Sequence, residues 1–129
     1  MLRPLTSPPR LRPGDTVAVV APSGPVPADR LDDGVRHLRD WGLDVQVMPH
    51  VLDRHPGRAY LAGTDEARAA DFQEAWLDTD VRAVVAARGG YGAARMVDLV
   101  DWDALAATDP KVLVGYSDCT VLHLSLIHI

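Results

Sequence analysis

Near the end of the chain, the run Gly115-Tyr116-Ser117-Asp118-Cys119 follows an apolar strand-like stretch, "KVLVG", and precedes a segment of helical character. A serine on a tight turn between a buried strand and a helix holds its hydroxyl clear of the sheet edge. The backbone N–H of the next residue, here Asp118, then faces whatever the hydroxyl attacks, which is the physics of a nucleophile elbow. The usual Gly-x-Ser-x-Gly pattern is half matched, because Gly115 is present and the later glycine is Cys119. A plainer reading stands beside it: Ser117 caps the following helix. Asp118 likewise suits the first turn of a helix, where the dipole favours negative charge.

A second stretch, "RGGYG", places Gly89 and Gly90 at the carboxyl end of another strand-like run. Adjacent glycines let the backbone approach a ligand closely with N–H groups exposed as donors. With the Asp118 N–H they would form an oxyanion hole, in which one donor contributes about 3 kcal/mol to the transition state. A phosphate cradle is a weaker reading, since Ala93, Ala94 and Arg95 follow Gly92 and the Gly-x-Gly-x-x-Gly spacing is missing. A plain strand-to-helix turn is the third. Arg88 is placed either to attract a substrate carboxylate or to join a surface ion pair. Tyr91, with Ser23 and Gly24 of a third loop, "PSGP", completes the candidate substrate-binding set.

A hydroxyl nucleophile needs a base and a carboxylate to orient it. The chain has five histidines. His37 reads as the polar side of a helix, His50 and His55 as loop residues, and His123 as a partly buried helix residue six positions past Ser117. No aspartate is nominated as a third member. The one cysteine, Cys119, excludes an internal disulfide and a cysteine-based zinc site, and reads as a small core residue.

The elements that must position these residues follow from periodicity. Residues 1–14 hold four prolines and predict an extended lead-in. "DTVAVVAP" predicts a strand buried on both faces. From Pro27, Leu31, Val35, Leu38 and Trp41 recur at helical spacing, and Gly42 sits at the left-handed stop. "LDVQVM" alternates as a second strand, and 49–63 form a long loop. Thr64 caps a helix whose first turn is acidic and whose face carries Ala69, Phe72 and Trp76. "VRAVVAA" is a third strand, followed by a helix over 93–100 and a helical turn over 103–107. "KVLVG" is the fourth strand. Four βα units with short connections predict an α/β domain, a parallel sheet with helices on both faces. Ligands bind such sheets beyond the carboxyl ends of the strands, where all three loops lie.

Composition sets the class. At 129 residues, 47% hydrophobic and 24% charged, the chain is an ordinary globular one, burying roughly two-thirds of its unfolded surface on folding. The net charge of −5 without a basic stripe argues against nucleic acid or an anionic membrane surface as partner. The N-terminus has no apolar core of signal-peptide length and no run spans a bilayer, so a cytoplasmic location is expected.

Together, "GDTVAVVAPSGPV", "YLAGTDEARAADFQEAW", "VRAVVAARGGYGAARMVDLVDWDAL" and "PKVLVGYSDCTVLH" resemble the N-terminal domain of the LD-carboxypeptidase, or muramoyltetrapeptide carboxypeptidase, family of serine peptidases. The resemblance covers roughly residues 4 to 124 and rests on several motifs in order. It implies a class I glutamine amidotransferase-like N-terminal domain of a cytoplasmic bacterial enzyme that recycles cell-wall peptides. Such an enzyme releases the terminal D-alanine of murein tetrapeptide by cleaving after an L-configured centre, without metal or organic cofactor. It implies Ser117 as nucleophile, and the N–H groups of Asp118 and of Gly89 or Gly90 as oxyanion donors. A sister branch cleaves microcin C-type peptide–nucleotides and tends to carry asparagine in the glycine loop, so Tyr91 favours the carboxypeptidase branch. A non-catalytic module holding a small anion at "RGGYG" and "PSGP" is a reading from another class.

The family's glutamate and histidine lie in a C-terminal domain, and no residue here matches either. The expected organisation is a lead-in over 1–14, an α/β nucleophile domain over 15–123 and a tail over 124–129. The ending "LSLIHI" resembles the translation of a transposon end used in preparing sequencing libraries, which predicts a truncated reading frame and no functional meaning for Ser125, Ile127 and His128. Truncation in turn predicts apolar area left in contact with water. The oligomeric state stays open, with a homodimer of the full-length protein as one reading.

Overall fold

The computed structural model describes residues 4–128; residues 1–3 of the expected lead-in and residue 129 of the expected tail lie outside the described residues. Four strands, β1 (Thr16–Val20), β2 (Asp44–Val47), β3 (Val81–Ala86) and β4 (Val112–Val114), form one sheet in the order β2-β1-β3-β4. All three pairings are parallel. The helices are α1 (Ala28–Asp40), α2 (Asp65–Leu77), α3 (Ala93–Met96), α4 (Trp102–Ala106) and α5 (Thr120–His128). This is the expected α/β architecture. Because the chain passes outward from β1 to β2 and then back across to β3, the loops leaving β1 and β3 part at the point where ligands bind.

Buried side chains lie on both faces of the sheet, since successive residues of β1 point to opposite faces and Val17 to Val20 are all buried. One cluster of buried side chains gathers Ala18, Val20 and Val84 with Phe72, Trp76 and Met96. The other holds Val17, Leu43 and Ala83, with Leu38 and Val85 packed against them. On this second face an open apolar groove of about 480 Å³ runs between α1 and the strands, with Val17, Val19, Leu38 and Val85 in its lining. Its wall on β4 is Val114, 48% exposed.

Local signals account for most boundaries. The Thr64 hydroxyl accepts from the Ala67 N–H at 3.1 Å and starts α2 as expected. Gly42 turns the chain at φ +84 after α1. Two expectations need correction. Trp41 does not extend the apolar stripe of α1: it lies one residue past the helix and is 70% exposed. The helix over 93–100 is also broken. α3 ends at Met96, and Val97–Leu99 form a 3-10 turn. The cause is competition for hydrogen bonds. The Asp101 N–H, which a continuing helix would aim at the Val97 carbonyl, donates to Gln73 Oε1 at 2.7 Å. That carbonyl accepts instead from the Trp102 indole at 2.9 Å and the Val100 N–H at 3.3 Å, and the Asp101 side chain caps α4.

The long loop before α2 is pinned rather than loose. The Ala62 N–H donates to the Ser23 carbonyl at 2.9 Å, Arg54 reaches the Val26 carbonyl, and the His50 N–H donates to the buried Asp71 carboxylate at 2.9 Å. No described helix is long and apolar enough to cross a membrane.

The loop's anchor makes stability depend on pH. His50 Nδ1 lies 2.7 Å from Asp53 Oδ2, and this hydrogen bond raises the His50 pKa against the opposing effect of burial, with Asp71 adding to the pull. A histidine whose folded pKa is raised stabilises fully below its unfolded value of about 6.5, and that contribution is lost as pH rises through the folded value. Urea unfolding of the chain should therefore show stability falling above about pH 6.5, and His50→Asn should flatten that part of the profile.

Candidate active site

β4 ends at Val114, and the chain then turns back on itself. Tyr116 is extended, and Ser117 follows at φ +62, the one non-glycine residue in the left-handed region among the described residues. That conformation costs about 1–2 kcal/mol and persists only where the surroundings over-determine it. Gly115 supplies part of the reason. A Cβ there would sit 3.0 Å from Cys119 Cβ and 3.2 Å from Ala86 Cβ, so only glycine lets the turn close on itself. Cys119 fills the space below, fully buried, in the place of the second glycine of the elbow pattern. Burial raises its thiol pKa, as suits a core residue.

The capping reading of Ser117 does not hold. The residue before the 3-10 turn Ser117–Cys119 is Tyr116, with no side-chain cap. Ser117 itself lies within the turn, is exposed, and its hydroxyl bonds to no protein group among the described residues. Gly89 lies against it: a Cβ on Gly89 would meet Ser117 Cβ at 3.0 Å, the Tyr116 carbonyl at 3.2 Å and Ser117 Oγ at 3.4 Å. Gly90, at φ +111, and Gly92, at φ +127, take conformations that glycine alone adopts readily. Among the described residues, no protein acceptor takes up the backbone N–H of Gly89 or Gly90. Serine and glycine pair face one depression of about 270 Å³.

The third loop is present, but in another role. The Gly24 N–H donates to the Gly89 carbonyl at 2.9 Å. The Ser23 hydroxyl donates to Asp118 Oδ2 at 2.5 Å, and Ser23 has no exposed surface. Ser23 and Gly24, expected to touch substrate, are both buried and bond to neighbouring loops within the protein. Arg88 is exposed and donates to the Pro25 carbonyl at 2.9 Å, making no ion pair among the described residues. Tyr91 is half exposed at the rim, its ring 5.8 Å from that of Tyr60.

Two contributors were missed in the sequence. Arg68, 1% exposed, donates to the carbonyls of Pro22 at 2.8 Å, Gly92 at 2.7 Å and Gly63 at 3.2 Å, and pairs with Asp65. Burial lowers its pKa, and the Asp65 charge opposes this. Burial raises that of Asp65, but the hydrogen bond from Arg95 and the charge of Arg68 outweigh it and hold the carboxyl below its ordinary value. A signal existed, since Arg68 falls four residues before Phe72 on the apolar face of α2. The second is the Asp118 carboxylate, for which spacing offered only a place in a first turn. It accepts from Ser23 and, at 2.8 Å, from the Ala93 N–H that opens α3.

No described histidine or carboxylate hydrogen-bonds to Ser117. His123, half buried as expected, directs its ring nitrogens to the carbonyls of Cys119 at 3.1 Å and Leu113 at 3.2 Å. The site thus offers a strained, exposed alcohol and unpaired amides, a constellation suited to acyl transfer once a base is supplied.

Comparison with known proteins gives the family and the fold. Residues 17–128 match the family model of the LD-carboxypeptidase N-terminal domain. The chain belongs to the LD-carboxypeptidase family. A Streptomyces coelicolor protein bearing a carboxypeptidase name is 62% identical over 122 residues, 95% of this chain and 39% of the relative. The murein tetrapeptide carboxypeptidase of Pseudomonas aeruginosa is 39% identical over 112 residues, 87% of this chain and 35% of its own. The chain therefore spans a little over a third of these family members. Among solved structures, the microcin C7 self immunity protein MccF superposes with a TM-score of 0.82 at 30% identity, covering 92% of this chain and 35% of that one. The muramoyltetrapeptide carboxypeptidase of Oxalobacter formigenes gives 0.74 at 32% identity, covering 87% and 36%.

The left-handed serine predicts a trade-off. Ser117→Gly removes a strain of about 1–2 kcal/mol and adds about 0.5–1 kcal/mol of unfolded-state entropy. The variant should thus unfold in urea at the same or a slightly higher midpoint, despite losing its hydroxyl. A clearly lower midpoint would mean that the hydroxyl contributes to the fold.

Proposed function

We propose that this domain carries the nucleophile and oxyanion hole of a serine-type carboxypeptidase that releases the terminal D-alanine of murein tetrapeptide. The observation that carries the reading is Gly89 packed against an exposed, left-handed Ser117. In the reaction, Ser117 Oγ attacks the scissile carbonyl and its proton passes to a base. The oxyanion forms against the N–H of Asp118 and that of Gly89 or Gly90. Collapse expels D-alanine, which takes the proton back, and leaves an ester on Ser117. Water then hydrolyses the ester. The base and its carboxylate partner belong to the remaining length that the longer relatives possess, where the family resemblance puts a histidine and a glutamate. No metal or organic cofactor enters the scheme. We assign the reaction to cell-wall peptide recycling in the cytoplasm.

The likeness to MccF supports a second reading, a hydrolase of aminoacyl nucleotides. One of its solved structures contains aspartyl sulfamoyl adenosine. Tyr91 in the glycine loop speaks for the peptide substrate, since the microcin branch tends to carry asparagine there.

The test is direct. The full-length protein, offered murein tetrapeptide and aspartyl sulfamoyl adenosine in parallel, should release D-alanine and leave the nucleotide intact. Ser117→Ala should lower the rate by roughly 10⁴-fold or more. Preferential cleavage of the nucleotide would favour the second reading, and ligand binding without turnover would favour a binding module. The 129-residue chain alone should give no measurable release, because an unassisted serine hydroxyl is a weak nucleophile.

A further inference from the structure

One carboxylate touches all three loops of the site. Asp118 Oδ2 accepts from the Ser23 hydroxyl at 2.5 Å, in the loop after β1, and from the Ala93 N–H at 2.8 Å, at the end of the glycine loop. Its own backbone belongs to the turn that carries Ser117. Ser23 is fully buried; beyond Asp118, its hydroxyl has only the Cys119 sulfur, 4.0 Å away. Ala93 is the first residue of α3, so its N–H has no carbonyl within the helix to bond. Both donors depend on this one oxygen, and bonds to a charged acceptor are the stronger kind.

From this geometry we infer that the Asp118 side chain is a positioning residue, which sets the separation between the Ser117 hydroxyl and the glycine-loop amides. The inference rests on the peptidase reading for its kinetic consequence, while its structural part stands on the bonds alone. Ser117 lies on one side of the clamp and Gly89–Gly92 on the other. The Gly24 N–H to Gly89 carbonyl bond closes the same circuit from the loop after β1. Arg68 ties two carbonyls of these loops, Pro22 and Gly92, but makes no bond to the turn that carries Ser117. From that turn, the Asp118 carboxylate is the charged link to both loops, and the Cys119 thiol adds a long contact to the Arg88 carbonyl at 3.7 Å. Releasing it would leave the hydroxyl and the amides in place chemically, and free to drift apart.

Two measurements test this. In the 129-residue chain, amide hydrogen exchange at Ala93 should speed up about tenfold or more in Asp118→Ala. Asp118→Asn, which keeps an oxygen acceptor, should stay near the parent rate. In the full-length protein, Asp118→Ala should lower kcat by about 100-fold with KM changed less than about twofold. Asp118→Asn should recover most of that loss. Thr64→Ala, remote from the clamp, serves as a destabilised control whose kcat stays near that of the parent. Unchanged exchange at Ala93, or a kcat loss no larger than that of the control, would overturn the inference. Should Asp118→Ala not fold, Ser23→Ala cuts one of the two bonds without adding volume. A lowered kcat at constant KM then supports the clamp, and an unaltered kcat overturns it. Absence of D-alanine release by the parent would count against the peptidase reading alone, and the exchange result would still decide the clamp.

Discussion

Ser117 stands at φ +62, and much of the carboxyl edge of the sheet is arranged so that it stays there. A β-carbon in the left-handed region is tolerated only if every escape is blocked. Here Gly115 allows the turn to fold onto Cys119 and Ala86, and Gly89 allows a neighbouring loop to come within contact of the serine itself. The consequence is chemical. A hydroxyl held off the edge, with no partner of its own, is free for an external group, and the amides beside it are equally unpaired. The strain and the exposure of the hydroxyl have the same origin.

Holding three loops together at one edge requires polar groups inside the protein, and each must be satisfied. Arg68 is the costliest of these, a charge with almost no solvent contact. It is tolerated because three carbonyls and the Asp65 carboxylate surround it, and because Arg95 in turn holds Asp65. Removing one partner of such a buried network costs far more than the net worth of the pair, so the network specifies one arrangement of the loops rather than simply adding stability. The Asp118 carboxylate likewise ties the Ser117 turn to the loop after β1 and to the start of α3.

The site is one-sided. Ser117 and the glycine-loop amides lie at the carboxyl edge of the sheet, and part of one sheet face stays open as an apolar groove edged by Val114. In a parallel sheet, strands are ordinarily covered on both faces. The family members compared here are more than twice as long as the matched region, and a base for Ser117 is a property of the longer protein in the proposed scheme.

The strands and helices were largely legible in the sequence, because each depends on local rules. Short apolar runs marked β1, β3 and β4, alternation marked β2, Thr64 and Gly42 marked helix ends, and glycine beside serine marked the loops. The fold class followed from the order of those elements. Misreadings came where a distant group intervened. Gln73 and Trp102 break the helix after Met96 by taking its hydrogen bonds, and Trp41 sits one residue too far along for the core. For the site, spacing singled out Ser117, Asp118 and the glycine pair, and left capping and catalysis as rival readings. Only the packed chain removed the capping reading, since the Ser117 backbone angle and its contact with Gly89 depend on residues nearly thirty positions apart. The same holds for Ser23, read as a ligand contact and found buried against Asp118, and for Arg68. Short-range periodicity is written in the order of the residues, whereas the partner of a buried polar group is settled only when remote segments meet.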